Sequence, residues 1–231
     1  SRRRHTRLVS DWSSDVCSSD LKSWMESFLI VDPSKTTNPR SAETGFVVWG
    51  VNTKLGRFYI RYAAGEKIHP DQQIDRAFEL AATFGCKVIG VESTGLGEWV
   101  THAYRNEAGK RGLPYEFIDL KSKAGQGEFS GKGGAKMARV ASLLPYYRKG
   151  QVHHNEIGTG ALEIQLLGYP KSKRWDIMDA AGYLPKMLDE GERYFLYQGE
   201  QDFEEEGTSE KEYRELEKDD YPEMDDSYML V

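Results

Sequence analysis

Phe28-Leu29-Ile30-Val31-Asp32-Pro33 and Lys87-Val88-Ile89-Gly90-Val91-Glu92-Ser93 share one plan, a short apolar run closed by an acid. Each reads as a buried strand that delivers a carboxylate at its carboxyl end. An unpaired carboxylate beside an apolar interior is costly, so two such strand ends suggest a shared countercharge, most simply a divalent metal.

The neighbouring sequence predicts a sheet for these runs. Residues 27–32 form a first strand. Residues 45–52 and 57–63 are two further β-rich runs joined by Lys54-Leu55-Gly56, a hairpin signature. His69-Pro70-Asp71 starts a helix that carries Ile74, Ala77, Phe78, Ala81 and Ala82 at helical spacing up to Gly85. A strand over 87–92, a helix over 97–108 and a strand over 115–120 follow. This alternation predicts an α/β fold whose sheet is partly parallel, with crossover helices. Residues 121–134 hold five glycines and three lysines and read as a mobile loop. Beyond it come an amphipathic helix over 136–148, a short strand over 151–153, a helix over 156–167 and a last helix over 176–188, which Pro185 kinks or shortens.

Composition narrows the possibilities. A chain of 231 residues with 39% hydrophobic content can bury one sizeable core. No run of about 18 apolar residues exists, and the N-terminus has no apolar signal region. Cys17 and Cys86 are too few for a disulfide scaffold and badly spaced for zinc, which fits a reducing setting inside a cell. The net charge of −6 is uneven: residues 200–231 carry fourteen acids and three bases, which leaves +5 on residues 1–199. A mildly basic body with an acidic tail is compatible with nucleic-acid binding. Residues 1–20 show no periodicity and read as a non-native or disordered leader. Residues 21–198 read as the folded domain, and 199–231 as an acidic disordered tail.

Asp176 and Asp179 complete the acidic set. Spaced three apart, they share one face of the last helix, next to Ala180, Ala181 and Gly182, which are small enough to let it lie close to the sheet. Phosphodiester hydrolysis needs an activated water and a stabilised leaving oxygen, and two Mg²⁺ or Mn²⁺ ions held by Asp and Glu supply both. Asp32, on a central strand, is the expected bridge between the two ions. Each acid also has a plainer reading. Asp32-Pro33-Ser34 would serve as a turn, Glu92 as a solvated strand end, Asp176 as an N-cap and Asp179 as first-turn charge.

In this order the residues resemble the nuclease domain of terminase large subunits, the DNA-packaging motors of tailed bacteriophages. The likeness rests on Leu29-Ile30-Val31-Asp32-Pro33-Ser34, on Val88-Ile89-Gly90-Val91-Glu92-Ser93, on residues 136–150, and on residues 162–170 leading into Trp175-Asp176-Ile177-Met178-Asp179-Ala180. The resemblance implies a ribonuclease H-like mixed sheet flanked by helices and two-metal cleavage of double-stranded DNA during genome packaging in the host cytoplasm. It also implies three partners: an ATPase domain, a small terminase subunit and a portal. Asp32 and Glu92 match the first and second acids of the family. The third motif often begins His-Asp-Asp. Here Arg174 and Trp175 stand first, which leaves Asp176 favoured as the ligand and Asp179 adjacent. No Gly-x-x-x-x-Gly-Lys-[Ser/Thr] phosphate loop occurs, so the chain reads as a piece without the motor.

Lys121, Lys123, Lys132 and Lys136, in or beside the glycine-rich stretch, and Lys171, Lys173 and Arg174, before the acidic helix, are the expected DNA-phosphate contacts. His153-His154 offers metal ligands or a general base, or simply a surface strand end. Trp49, Tyr59 and Phe46 read as core. A junction resolvase, a transposase or a non-catalytic DNA-binding module are the competing functions.

Overall fold

The computed structural model describes residues 25–35, 42–94, 99–122 and 133–195. The expectations for residues 1–20 and 199–231, and the assignments of Lys123 and Lys132 to DNA, lie outside the described residues. The six strands are β1 (Glu26–Asp32), β2 (Thr44–Asn52), β3 (Arg57–Glu66), β4 (Val88–Glu92), β5 (Glu116–Leu120) and β6 (Val152–His154). Among the described residues seven helices accompany them: α1 (Pro70–Phe84), α2 (Trp99–Arg111), α3 (Gly134–Ser142), α4 (Leu144–Arg148), α5 (Gly160–Leu167), α6 (Asp176–Ala181) and α7 (Leu184–Phe195).

The strands form one sheet in the order β5-β4-β1-β2-β3-β6. β1, β2 and β3 are an antiparallel meander, while β4 joins β1, β5 joins β4 and β6 joins β3 in parallel. This is the ribonuclease H-like mixed sheet flanked by helices. The hairpin between β2 and β3 turns on Gly56, whose φ of 58° suits a residue without a Cβ. Asn52 Oδ1 accepts the Leu55 N–H at 2.9 Å and fixes that turn.

One face of the sheet is a continuous apolar core. Leu29 and Val31 of β1, Phe46 and Val48 of β2, and Ile89 and Val91 of β4 pack under Ala77, Phe78 and Ala81 of α1 and Val100 and Tyr104 of α2. Gln72 accepts the His69 N–H at the start of α1, and Gly85 ends it at φ 67°. The opposite face receives α6 and α7. The small residues of α6 do allow a close approach: a Cβ on Gly45 of β2 would stand 2.6 Å from the Asp176 carbonyl oxygen and 3.2 Å from Ala180 Cβ. A Cβ on Gly90 of β4 would meet Met187 Sδ of α7 at 2.5 Å.

Two segments, each expected to form one helix, with a kink or early end at Pro185 in the second, are divided. The 136–148 segment breaks at Leu143, and Pro145 falls in the first turn of α4. The 176–188 segment breaks at Gly182-Tyr183, with Pro185 in the first turn of α7. Proline lacks an N–H and disrupts a helix interior, but it fits a first turn, where that donor has no partner anyway.

Candidate active site

Pleat and register bring the two strand-end acids together. Side chains alternate faces along a strand, so Asp32 shares a face with Phe28 and Ile30, opposite the core-facing Leu29 and Val31. Glu92 shares its face with Gly90, the residue that abuts Met187. β1 and β4 run parallel with Val31 opposite Val91, so the next residues, Asp32 and Glu92, emerge side by side. Their carboxyl groups are close enough for each to disfavour the other's ionisation. Burial, then the adjoining Glu92 carboxyl, then the charge of Asp179, hold the Asp32 carboxyl well above the usual range. The turn after Asp32 is pinned by the Ser34 N–H and Oγ on Thr44 Oγ1, at 3.2 and 3.0 Å, and by Gln73 Nε2 donating to the Ser34 carbonyl at 3.0 Å.

The helix acids approach from the layer above. Asp176, 9% exposed, opens α6, and Asp179, fully buried, lies one turn on. Asp176 is not the N-cap. Trp175 holds that position, and the free N–H groups of Ile177 and Met178 donate to Gln165 Oε1 at 3.1 and 3.0 Å. Asp176 instead accepts the Glu43 N–H at 3.1 Å. Burial raises its pKa against the opposing pull of Lys136 and Arg174.

Asp179 is held by cations. Its Oδ1 accepts Arg139 Nε at 2.7 Å, with Nη2 also 2.7 Å away. Lys136 Nζ lies 2.8 Å from Oδ2 as an ion pair without hydrogen-bond alignment. Burial works against the Lys136 ammonium, but Asp179, then Asp32 and Asp176, outweigh it and raise its pKa. Lys136, one of the expected DNA contacts, is half exposed and also faces three of the acids. Arg139 also sits 4.5 Å over the ring of Tyr183, whose hydroxyl donates to Glu92 Oε1 at 2.9 Å.

Asp32 and Glu92 form the adjoining pair at the centre of the set, and Lys136 faces Asp32, Asp176 and Asp179. Among the described residues, no three His, Cys, Asp or Glu side chains stand close enough to hold a metal ion as they are. The donors nonetheless fit a hard divalent ion. All are carboxylate oxygens, and the Asp32–Glu92 contact needs a positive partner wherever both are ionised.

Of the other expected contacts, Lys121, Lys171 and Lys173 are exposed, and Arg174 is ion-paired with Glu43. His153 and His154 lie elsewhere. β6 is three strands from β1, roughly 14 Å at the usual strand spacing. His153 stacks on Tyr59, while His154 bridges Tyr147 and Glu163 at 2.8 and 3.0 Å.

The sequence reading missed Tyr183, Arg139, Gln165 and Glu43. The i, i+3 spacing of Lys136 and Arg139 and the i, i+4 spacing of Asp179 and Tyr183 were the available signals for two of them. Nothing local marks Gln165 or Glu43.

No family profile matches the chain, and no curated protein matches it in sequence. Solved structures do. The human cytomegalovirus terminase nuclease domain is 13% identical with a TM-score of 0.50, over 71% of this chain and 85% of that one. A nuclease domain of the large terminase subunit of bacterial virus Sf6 is 11% identical with a TM-score of 0.48, over 68% and 86%. The fowlpox virus Holliday junction resolvase is 8% identical with a TM-score of 0.47, over 71% and 98%. In fold, this chain resembles a terminase nuclease domain.

Proposed function

We propose that the chain is a metal-dependent endonuclease that cuts double-stranded phage DNA during genome packaging, as the nuclease part of a terminase large subunit spanning residues 21–198. The observation that carries this reading is the carboxyl pair of Asp32 and Glu92, placed by parallel register at adjoining strand ends and faced by the acids of α6. Asp32, Glu92 and Asp176, with Asp179 adjacent, would hold Mg²⁺ or Mn²⁺. Two such ions, if bound there, would supply the activation of water and the charge stabilisation of the leaving oxygen that phosphodiester hydrolysis needs.

The protein's own groups prepare that chemistry. Tyr183 orients Glu92 through its hydroxyl. Arg139 fixes Asp179, and Lys136 places a positive charge among the acids, where it offsets their repulsion. Asp32 holds or releases a proton at its carboxyl as Glu92 and Asp179 dictate. Lys121, Lys171, Lys173 and Arg174 grip the phosphate backbone outside the cluster, and Lys123 and Lys132 are assigned the same task. The ATPase domain, small subunit and portal are the proposed partners in the host cytoplasm. Among the described residues, no helix is long and apolar enough to cross a membrane.

The test is plasmid nicking with Mg²⁺ or Mn²⁺, with a linear duplex and a four-way junction compared alongside. Wild type should nick the plasmid and cut the linear duplex. Asp32→Ala, folded by circular dichroism, should abolish both. Undiminished cleavage by that variant would refute the site, and a strong preference for the junction would favour a resolvase.

A further inference from the structure

An exposed aromatic side chain borders a groove on the other face of the sheet. Trp99 opens α2 and is 65% exposed, the only tryptophan or phenylalanine so exposed among the described residues. Together with His102 and Arg105, about one and two turns along the same helix, and Asp119 of β5, it lines a groove of about 310 Å³. The polar members are tethered. Asn106 Nδ2 contacts His102 Nδ1 at 3.0 Å, and Arg105 Nη2 donates to the Phe117 carbonyl at 3.0 Å, with Asp119 Oδ2 3.6 Å away. Asp119 Oδ1 is buried with no hydrogen-bond partner among the described residues. Asp119 pairs in register with Val91, one residue before Glu92, so the groove lies at the same end of the sheet as the acids but across it.

We infer that this groove takes a nucleotide of single-stranded DNA, with the base stacked on Trp99 and its phosphate on Arg105 and His102. The chemistry is that of a stacking platform. An exposed indole offers a π-face that any base can use, and a guanidinium beside it meets the backbone charge. A core role does not account for an indole left this open. The occupant is consistent with a strand frayed or displaced beside the cut, so the inference rests on the nuclease reading above.

Binding of the full 231-residue chain to fluorescein-labelled dT20 and to a 20-base-pair duplex, by anisotropy in EDTA, separates the two. Trp99→Ala should weaken dT20 binding about tenfold, the scale of one lost base–aromatic stack, and Trp99→Phe should retain most of it. Duplex binding should change less than twofold, and thermal melting should be unaltered because the indole is exposed. Wild-type affinity of Trp99→Ala for dT20 would overturn the inference, as would an equal loss on both DNAs. A wild-type dimer that Trp99→Ala dissolves without affecting DNA binding would assign the face to a second copy and overturn it too. Plasmid nicking reports on the nuclease reading separately. Cleavage by the wild type together with dT20 binding that does not depend on Trp99 sinks only the groove, and Trp99-dependent dT20 binding without wild-type cleavage under either metal sinks only the nuclease.

Discussion

Arg139 is the residue whose removal tests the site's electrostatics most directly. Its guanidinium is 13% exposed and meets an Asp179 carboxylate that is completely buried, with two nitrogens at 2.7 Å. Replacing Arg139 by Met preserves much of the apolar volume over Tyr183 but leaves the buried charge to Lys136 alone. Breaking a buried pair from one side typically costs about 3–5 kcal/mol. Lys136 remains 2.8 Å away and is half exposed, so the lower end, about 3 kcal/mol, is expected. For a domain of this size that corresponds to a fall of roughly 6–12 °C in Tm. Asp179→Leu alone should also destabilise, because it strands Arg139 in an apolar layer. The double variant Arg139→Met/Asp179→Leu should recover to within about 1 kcal/mol of wild type, since replacing both partners by apolar groups removes the desolvation cost together with the attraction. Urea denaturation of the four proteins closes the cycle. A loss below about 1 kcal/mol for Arg139→Met, or strict additivity in the double variant, would refute the argument that Asp179 is a buried anion dependent on its cations.

Four further outcomes are expected. Gly45→Ala sets a methyl 2.6 Å from the Asp176 carbonyl oxygen, so it should lower stability by about 1–3 kcal/mol and reduce cleavage by displacing α6, read by melting and plasmid nicking. Tyr183→Phe removes the donor to Glu92; a loss of about 1.4 kcal/mol in the transition state corresponds to a tenfold lower cleavage rate with the fold retained, and an unchanged rate would show that Tyr183 orients nothing. Burial lowers the His154 pKa below 6.5 despite Glu163, so the folded state prefers the neutral ring. That contribution to stability is present above pH 6.5 and is lost as pH falls through the folded value, so the Tm difference between wild type and His154→Gln should shrink between pH 7.5 and pH 5. Lys171→Ala and Lys173→Ala should each reduce the salt dependence of duplex binding by about 0.9 in log–log slope, measured by titration at several salt concentrations.

The sheet was legible because its signals are local and periodic. The run ending in Asp32, the run ending in Glu92 and the Lys54-Leu55-Gly56 turn each announce an element within a few residues, and alternation between strands and helices then restricts the topology. The candidate site was legible only where a carboxylate sits at the end of such a run. Asp176 illustrates the limit. Heading a helix, it invites reading as an N-cap, and only Gln165, eleven residues earlier and on another helix, takes that task from it. Lys136 shows the same gap. Beside a glycine-rich stretch it looks like a surface cation, yet Asp179, forty-three residues later, draws it inward. Such pairings are properties of packed layers, and no short window of sequence contains them. The helix breaks at Leu143 and Gly182 were half visible, since Pro145 and Pro185 marked trouble without locating it.

The strict alternation of β1 has a consequence for folding. A slip of one residue against β2 or β4 would turn Asp32 toward the greasy layer beneath α1 and send Leu29 and Val31 to the other side. Misaligned chains would therefore lose their oily interior and the Asp32–Glu92 pairing in the same stroke. Selection for a well-seated middle strand is thus, at no additional cost, selection for a correctly aimed carboxylate.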